Sequence, residues 1–332
     1  MQSGQSETRI AILLSTCNGE RYLPELLDSL LGQHYRQWDL WIRDDGSTDG
    51  TVDLLNTFHR NAAEDHPDNR IQITTGENIG IVGSFFSLLA DVPDTYSGYA
   101  FCDQDDVWQP EKLDRAVDQL NRHLGRSENP FLYHARQFIM DERGTVQGVS
   151  PVPQHCGLFN ALIQNQVVGC TMVIDSNLRK RVIGDRERPF HPDPAIIMHD
   201  WWCYLLASAF GIIYYDDRPV IKFRRHEQSS TPAKSGRYRA WAARAAALGN
   251  RSWSITHILD QAELFHNRYI VSEGGKVTGE CSPDNVNMVN CLLKLKKAGF
   301  GKRLEYVLRS PHYRSTWPET LVFRFMVLFR RF

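Results

Sequence analysis

The sequence has little that would mark it as a membrane, secreted or metal-cluster protein. Nowhere do roughly 18 apolar residues run together, so no bilayer-spanning helix is expected. Met1 to Arg9 is polar and lacks the apolar core of a signal peptide. The cysteines number seven, an odd count, and none are spaced C-x-x-C. That pattern fits buried thiols in a reducing cytoplasm rather than a disulfide framework or a zinc site. Internal repeats and low-complexity tracts are also missing. Glycines 76, 80 and 83 do not make G-x-G-x-x-G, so no nicotinamide fingerprint is present. Net charge is nearly absent, with 38 Lys+Arg against 39 Asp+Glu. This argues against a nucleic-acid binder working through bulk positive charge. A cytoplasmic protein is expected.

What is present is a globular composition over 332 residues, 42% hydrophobic and 23% charged, long enough for two domains. The neutral total conceals an asymmetry. Residues 1–217 carry 17 basic and 31 acidic side chains, whereas residues 218–332 carry 21 basic and 8 acidic. Such a division suggests two regions with different electrostatic tasks.

Ile10 to Ser15 reads as a buried strand, followed by a helix opened by Pro24 with Leu23, Leu26, Leu27, Leu30 and Leu31 on one face. A second strand around Leu40 and Ile42 stops at Asp44-Asp45-Gly46, before a helix with Val52, Leu55 and Phe58. Ile71–Thr75 and Tyr99–Cys102 are further strands, with a helix over Gly83–Ala90 between them. Strand alternating with helix predicts an α/β, doubly wound, Rossmann-like sheet, whose ligands sit beyond the carboxyl ends of the strands. Further on, Phe131–Tyr133, Phe138–Met140, Val167–Ile174 and Val220–Phe223 read as strands, and His199-Asp200 opens an apolar helix ending near Gly211. Beyond residue 231 the pattern is helical over Tyr238–Leu248, Ile255–Phe265, Val286–Leu295 and Trp317–Phe332. The domain change is placed between His226 and Lys234.

Three of the strand ends are polar: Ser15-Thr16-Cys17-Asn18, Asp44-Asp45 and Asp103-Gln104-Asp105-Asp106. Asp103-x-Asp105 offers hard oxygen ligands for Mg²⁺ or Mn²⁺, the kind of ion that neutralises a departing diphosphate. Asp44 and Asp45 suit turn chemistry, and equally suit acceptance from a base N–H or a ribose hydroxyl. His226, in Arg224-Arg225-His226, can complete a metal shell, and the flanking arginines suit a diphosphate.

Together, Ser15-Thr16-Cys17-Asn18-Gly19-Glu20, Arg43-Asp44-Asp45-Gly46-Ser47-Thr48-Asp49 and Asp103-Gln104-Asp105-Asp106 resemble the inverting glycosyltransferase family 2, over roughly residues 8–230. Cys102 to Trp108 and the later Arg-x-His are similar to bacterial rhamnosyltransferases and O-antigen or capsule transferases. The resemblance implies a GT-A fold over residues 1–230, with a nucleotide-sugar half (1–110), an acceptor half (111–230) and a basic helical region over 231–332. It implies donor contacts from Ser15, Cys17, Asn18, Glu20, Asp44, Asp45, Asn78, Gly80, Asp103 and Arg225. Position 17 is commonly Tyr in the family and is Cys here. For Asn78-Ile79-Gly80, helix entry needing small residues is an equal reading. Asp105, Asp103 and His226 would hold the metal, Mg²⁺ or Mn²⁺. Asp200 would be the general base that takes the acceptor proton. The family frequently has Glu-Asp where this chain has His199-Asp200, and Asp193 is the rival base.

The implied partners are a nucleotide-sugar donor, with dTDP-L-rhamnose the first choice, and a cell-surface glycan acceptor on a lipid carrier. Thr316 to Phe332, apolar with Arg324, Arg330 and Arg331, suits either a helix on an anionic membrane surface or one docked on the core or a second subunit. Basic and aromatic residues alternate between Arg237 and Trp253 without any RNA-binding motif, so nucleic acid is not expected. A sugar nucleotidyltransferase would show a Gly-rich, basic loop after the first strand, which Ser15–Arg21 does not supply. A non-catalytic, membrane-associated nucleotide-sugar binder would need no base. Absence of Q-x-x-R-W argues against a processive synthase.

Overall fold

The computed structural model describes residues 8–124, 127–154, 156–184, 192–226, 255–271, 280–310, 312 and 314–329. The expected helix over Tyr238–Leu248 lies outside them. The chain divides into two compact units. The first holds Met1–Val152, Val167–Pro192 and Gly211–Pro232, and the second holds Pro153–Gln166, Asp193–Phe210 and Ala233–Phe332. Segments 153–166 and 193–210, from the expected acceptor half, thus group with the basic C-terminal region.

The first unit begins with β1 (Ile10–Thr16), α1 (Leu23–Leu31), β2 (Trp38–Asp45), α2 (Thr51–Asp65), β3 (Ile71–Gly76), α3 (Gly80–Asp91) and β4 (Gly98–Asp103). Ile10 to Leu14 are buried on both faces, as a continuous apolar run must be in a parallel sheet covered by helices. Leu23, Leu26, Leu27 and Leu30 of α1 close over it. Burial of such side chains contributes about 1.5–3 kcal/mol apiece. Parallel pairing gives the order β3-β2-β1-β4. The chain therefore reverses its direction of winding between β1 and β4, which is the switch point where open α/β sheets bind ligands.

The rest of this unit is β5 (Val107–Trp108), α4 (Lys112–His123), β6 (Phe131–Met140), β7 (Val146–Val149), then β8 (Val173–Asp175), α6 (Ser176–Ile183) and β9 (Ile212–Arg224), with the short α5 (Leu158–Ala161) of the second unit between β7 and β8. The sheet continues β4-β8-β6-β9-β5, now mixed in direction, with β7 on β6. Two expectations change here. The stretch Val167–Ile174 is mostly irregular, with a 3-10 turn at Gly169–Thr171 before a three-residue strand. That turn carries the backbone behind β4, where Lys112 Nζ donates to the Cys170 carbonyl at 2.7 Å. The expected pair of strands within 131–140 is a single strand, β6, paired along its length with β9.

The second unit adds α7 (His199–Phe210), α8 (Ile255–Phe265), α9 (Pro283–Leu293), α10 (Phe300–Arg309) and α11 (Trp317–Phe329). Trp201 Nε1 donates to the Ala161 carbonyl at 2.6 Å, and the Tyr204 hydroxyl to Asn160 Oδ1 at 3.2 Å, tying α7 to α5. Ser282 caps α9 by accepting from Asn285 N at 3.2 Å, with Pro283 at the first helical position. Among the described residues no helix is long and apolar enough to cross a membrane.

Candidate active site

Register places the polar strand ends side by side. Ser15 stands opposite Arg43 on one neighbour and Asp103 on the other, Thr16 opposite Asp44, and Asp45 opposite Gly76. Beyond Thr16 the chain turns over the sheet edge in a loop held almost entirely by side chains. Asn18 adopts φ 50°, which asparagine tolerates. Its N–H donates to Ser47 Oγ at 2.8 Å, and its Oδ1 accepts from Thr48 N at 2.8 Å. Glu20 Oε2 accepts from Gly50 N at 3.0 Å. A methyl group on Gly19 would come within 2.3 Å of Gln104 Oε1, so no larger residue fits without moving that amide.

Gln104 is the member of the D-Q-D-D run whose role the acidic pattern concealed. Its Oε1 accepts from Cys17 N at 2.8 Å and its Nε2 donates to the Cys17 carbonyl at 2.9 Å. The amide thus reproduces a strand pairing and ties the end of β4 to the loop after β1. Ser84 was also missed: its buried Oγ pairs with Ser15 Oγ at 2.6 Å, from helix α3. A serine on an otherwise apolar helix face was the available signal.

The two carboxylates after β2 have separate tasks. Asp44, buried, accepts from Thr16 Oγ1 at 2.9 Å, Ser47 N at 2.9 Å and Ser47 Oγ at 2.5 Å. Three in-chain donors make it an organiser of the β2–α2 turn. Asp44→Ala would leave three donors short of their acceptor and is expected to lower unfolding free energy by about 2–4 kcal/mol. Urea titration checks this, and an unchanged midpoint would assign Asp44 to ligand contact alone. Asp45, equally buried, accepts from Ile79 N and Gly80 N, both at 2.9 Å, and pairs with Arg43. It therefore joins two of the expected donor segments. Gly80 has φ +77°, a conformation that glycine adopts without strain. Asn78 Nδ2 reaches Cys17 Sγ at 3.4 Å. Burial, then the charges of Asp45 and Asp44, push the Cys17 thiol up, so it stays protonated.

At the end of β4, Asp105 Oδ2 and His226 Nε2 meet at 2.7 Å although they lie 121 residues apart in sequence. Both are partly exposed, and the His226 ring packs at a tilt of 33° against Tyr22, with centroids 5.0 Å apart. A carboxylate and an imidazole converging at a partly exposed point could hold a divalent cation, the carboxylate being the donor that suits Mn²⁺ or Mg²⁺. A second acidic grouping brings ligand atoms of Asp103, Asp106 and Cys170 within 4.8 Å of one another. It fits a hard cation less well, because Asp106 and Cys170 are fully enclosed. Burial pushes both groups well up, reinforced at Asp106 by the charges of Asp105 and Asp103. Asp106 instead accepts from Arg224 N at 3.1 Å and anchors β9. Next to it, Lys112 is fully buried over the Trp108 ring, 3.0 Å from its centroid, and burial lowers its ammonium to about 7.

The two arginines before His226 also differ. Arg224 is buried, bonds the Asp105 carbonyl at 2.9 Å and the Glu142 carbonyl at 3.3 Å, and pairs with Glu25. It braces the loop that carries Asp105. Arg225 is bonded through its backbone N–H to the Met140 carbonyl at 2.9 Å.

In the second unit, Asp200 stands in the first turn of α7, where its Oδ1 accepts from Trp201 N at 2.7 Å. His199 is buried, and burial lowers its imidazole to about 3, so it is neutral. The rival Asp193 is engaged by Arg268 at 3.0 Å and by Ala195 N at 3.0 Å.

Comparison with known proteins finds relatives of this chain. Residues 11–125 match the model of glycosyl transferase family 2. The dTDP-rhamnosyl transferase RfbG of Shigella flexneri is 27% identical over 231 residues, covering 66% of this chain and 74% of that protein. The UDP-Glc:alpha-D-GlcNAc-diphosphoundecaprenol beta-1,3-glucosyltransferase WfgD of Escherichia coli is 27% identical over 171 residues, 51% of this chain and 61% of that protein. The fold is shared with residues 1–349 of S. aureus TarS, crystallised with UDP-GlcNAc, at TM-score 0.57 and 15% identity, covering 97% of this chain and 82% of that one.

Proposed function

Residues 11–125 belong to glycosyl transferase family 2, and from that premise we propose that the chain is an inverting, divalent-metal-dependent transferase that builds a cell-surface glycan. The observation that carries the reading is the convergence of Asp105 and His226 beside strand ends that bring Ser15, Asp45 and Asp103 to the switch point. A nucleoside diphosphate fits there: the Asn78–Gly80 turn fixed by Asp45 presents backbone to the donor, while Ser15 and Asp103 flank it. A divalent cation held by Asp105 and His226 would offset the charge of the leaving diphosphate. Arg225 follows Arg224, which braces the Asp105 loop, and is assigned to the same diphosphate.

Asp200 is assigned as the base. It takes the proton from the acceptor hydroxyl as that oxygen attacks the anomeric carbon. The bond to the diphosphate oxygen breaks on the opposite face, which inverts the configuration. Similarity to RfbG makes dTDP-L-rhamnose the first donor to test, and similarity to WfgD favours a lipid-linked acceptor. The test is calorimetric titration of the chain with a panel of nucleotide sugars, with and without Mn²⁺. Binding of dTDP-L-rhamnose that Mn²⁺ tightens is expected. Tighter binding of another donor would replace the sugar, and metal-independent binding of every donor would overturn the metal assignment.

A further inference from the structure

Helix α11 reconciles the two readings that the sequence left open for it. Thr320, Phe323 and Val327 are buried against its own unit, so the helix is docked. Its other side carries Trp317, Leu321 and Phe325 at four-residue steps, with Trp317 74% and Phe325 63% exposed. The sequence pattern gave no hint of α10, whose first turn contains Gly301 between Phe300 and Lys302. This helix packs on α11 and repeats the arrangement. Arg303 and Tyr306 point inward, whereas Phe300, Leu304 and Leu308 are exposed at four-residue steps, Leu308 at 72%. Two neighbouring amphipathic helices that each leave an apolar stripe uncovered form an interaction surface.

Charge selects the occupant. Residues 294–331 hold ten basic side chains against two acidic ones. Among the described residues Arg303 is buried and Lys296 pairs with Asp260 and Glu263, while Lys294, Lys297, Lys302 and Arg309 are exposed, Arg309 beside Glu305 at 3.2 Å. A second copy of this chain docking through the same two helices would set one basic face against another. We propose that α10 and α11 dock on an anionic phospholipid bilayer, their apolar stripes entering the headgroup boundary while lysine and arginine meet lipid phosphates. The surface lies wholly within the second unit and requires neither donor nor metal, so it stands apart from the proposed transfer reaction.

The experiment is flotation of the full chain with vesicles of phosphatidylcholine alone or of phosphatidylcholine mixed with phosphatidylglycerol. Recovery with the anionic vesicles only, diminished by added salt, is expected. Leu308→Glu and Phe325→Glu should each weaken it about tenfold or more, without shifting the thermal melt, because both side chains face outward. Should either variant melt early, the double variant Lys302→Gln/Arg309→Gln carries the same expectation through charge alone. Equal recovery on neutral vesicles, no recovery on either, or variants that float like the parent would overturn the proposal. So would a dimer in sedimentation equilibrium that the same variants dissociate, which assigns the face to a second copy.

Discussion

Asp105→Ala is expected to lower sugar transfer by about 10²–10³-fold, the range seen when one group that stabilises developing negative charge is removed. The reasoning rests on position. Asp105 is partly exposed and meets His226 at 2.7 Å, while Arg224 bonds its carbonyl at 2.9 Å. The alanine variant keeps that backbone tie, so the loop is retained and the loss falls on the side chain. Transfer measured against Mn²⁺ concentration should lose most of its response, with His226 left as a lone ligand. Asp44→Ala supplies the contrast, because it weakens the fold through a turn. An Asp105→Ala enzyme with parental turnover and parental metal response would remove Asp105 from the site.

Asp200→Asn tests the base with an equally large effect. Asparagine preserves the shape and the acceptor oxygen that receives Trp201 N at 2.7 Å, so α7 keeps its first turn. What disappears is the capacity to take a proton. Turnover should fall about 10²–10⁴-fold, the usual contribution of general base catalysis, with donor affinity unchanged. Single-turnover rates at saturating donor, alongside calorimetric donor binding, separate the two quantities. Near-parental turnover would move the role elsewhere. Asp193→Asn would then be the comparison, although the pairing of Asp193 with Arg268 makes a structural loss the expectation there.

Much of the site was legible because its signals are local. An apolar run that ends in small polar residues is a buried strand with a polar end, and Ile10–Asn18, Leu40–Asp45 and Tyr99–Asp106 all behave so. Helices with a continuous buried face, such as Leu23–Leu31 and Ile255–Phe265, were readable for the same reason. Val167–Ile174 was misread as a full strand. Its apolar residues are buried, yet burial alone does not separate a strand from a turn packed behind one. Helix α10 was missed because its buried side is filled by Arg303 and Tyr306, which a hydrophobic count does not credit.

By itself, then, the sequence determined a doubly wound sheet with carboxylates at its strand ends, because side-chain period and turn chemistry are properties of neighbouring residues. Only the tertiary structure decided what each carboxylate does. Asp44 and Glu20 turn inward to backbone N–H groups contributed by a loop, Asp45 clamps a helix entrance from another strand, and Asp106 anchors β9. Asp105 alone among these meets an imidazole, from a strand end 121 residues away. A carboxylate accepts from whichever donors the fold delivers, and those donors come from distant segments. Its role is therefore absent from any local pattern.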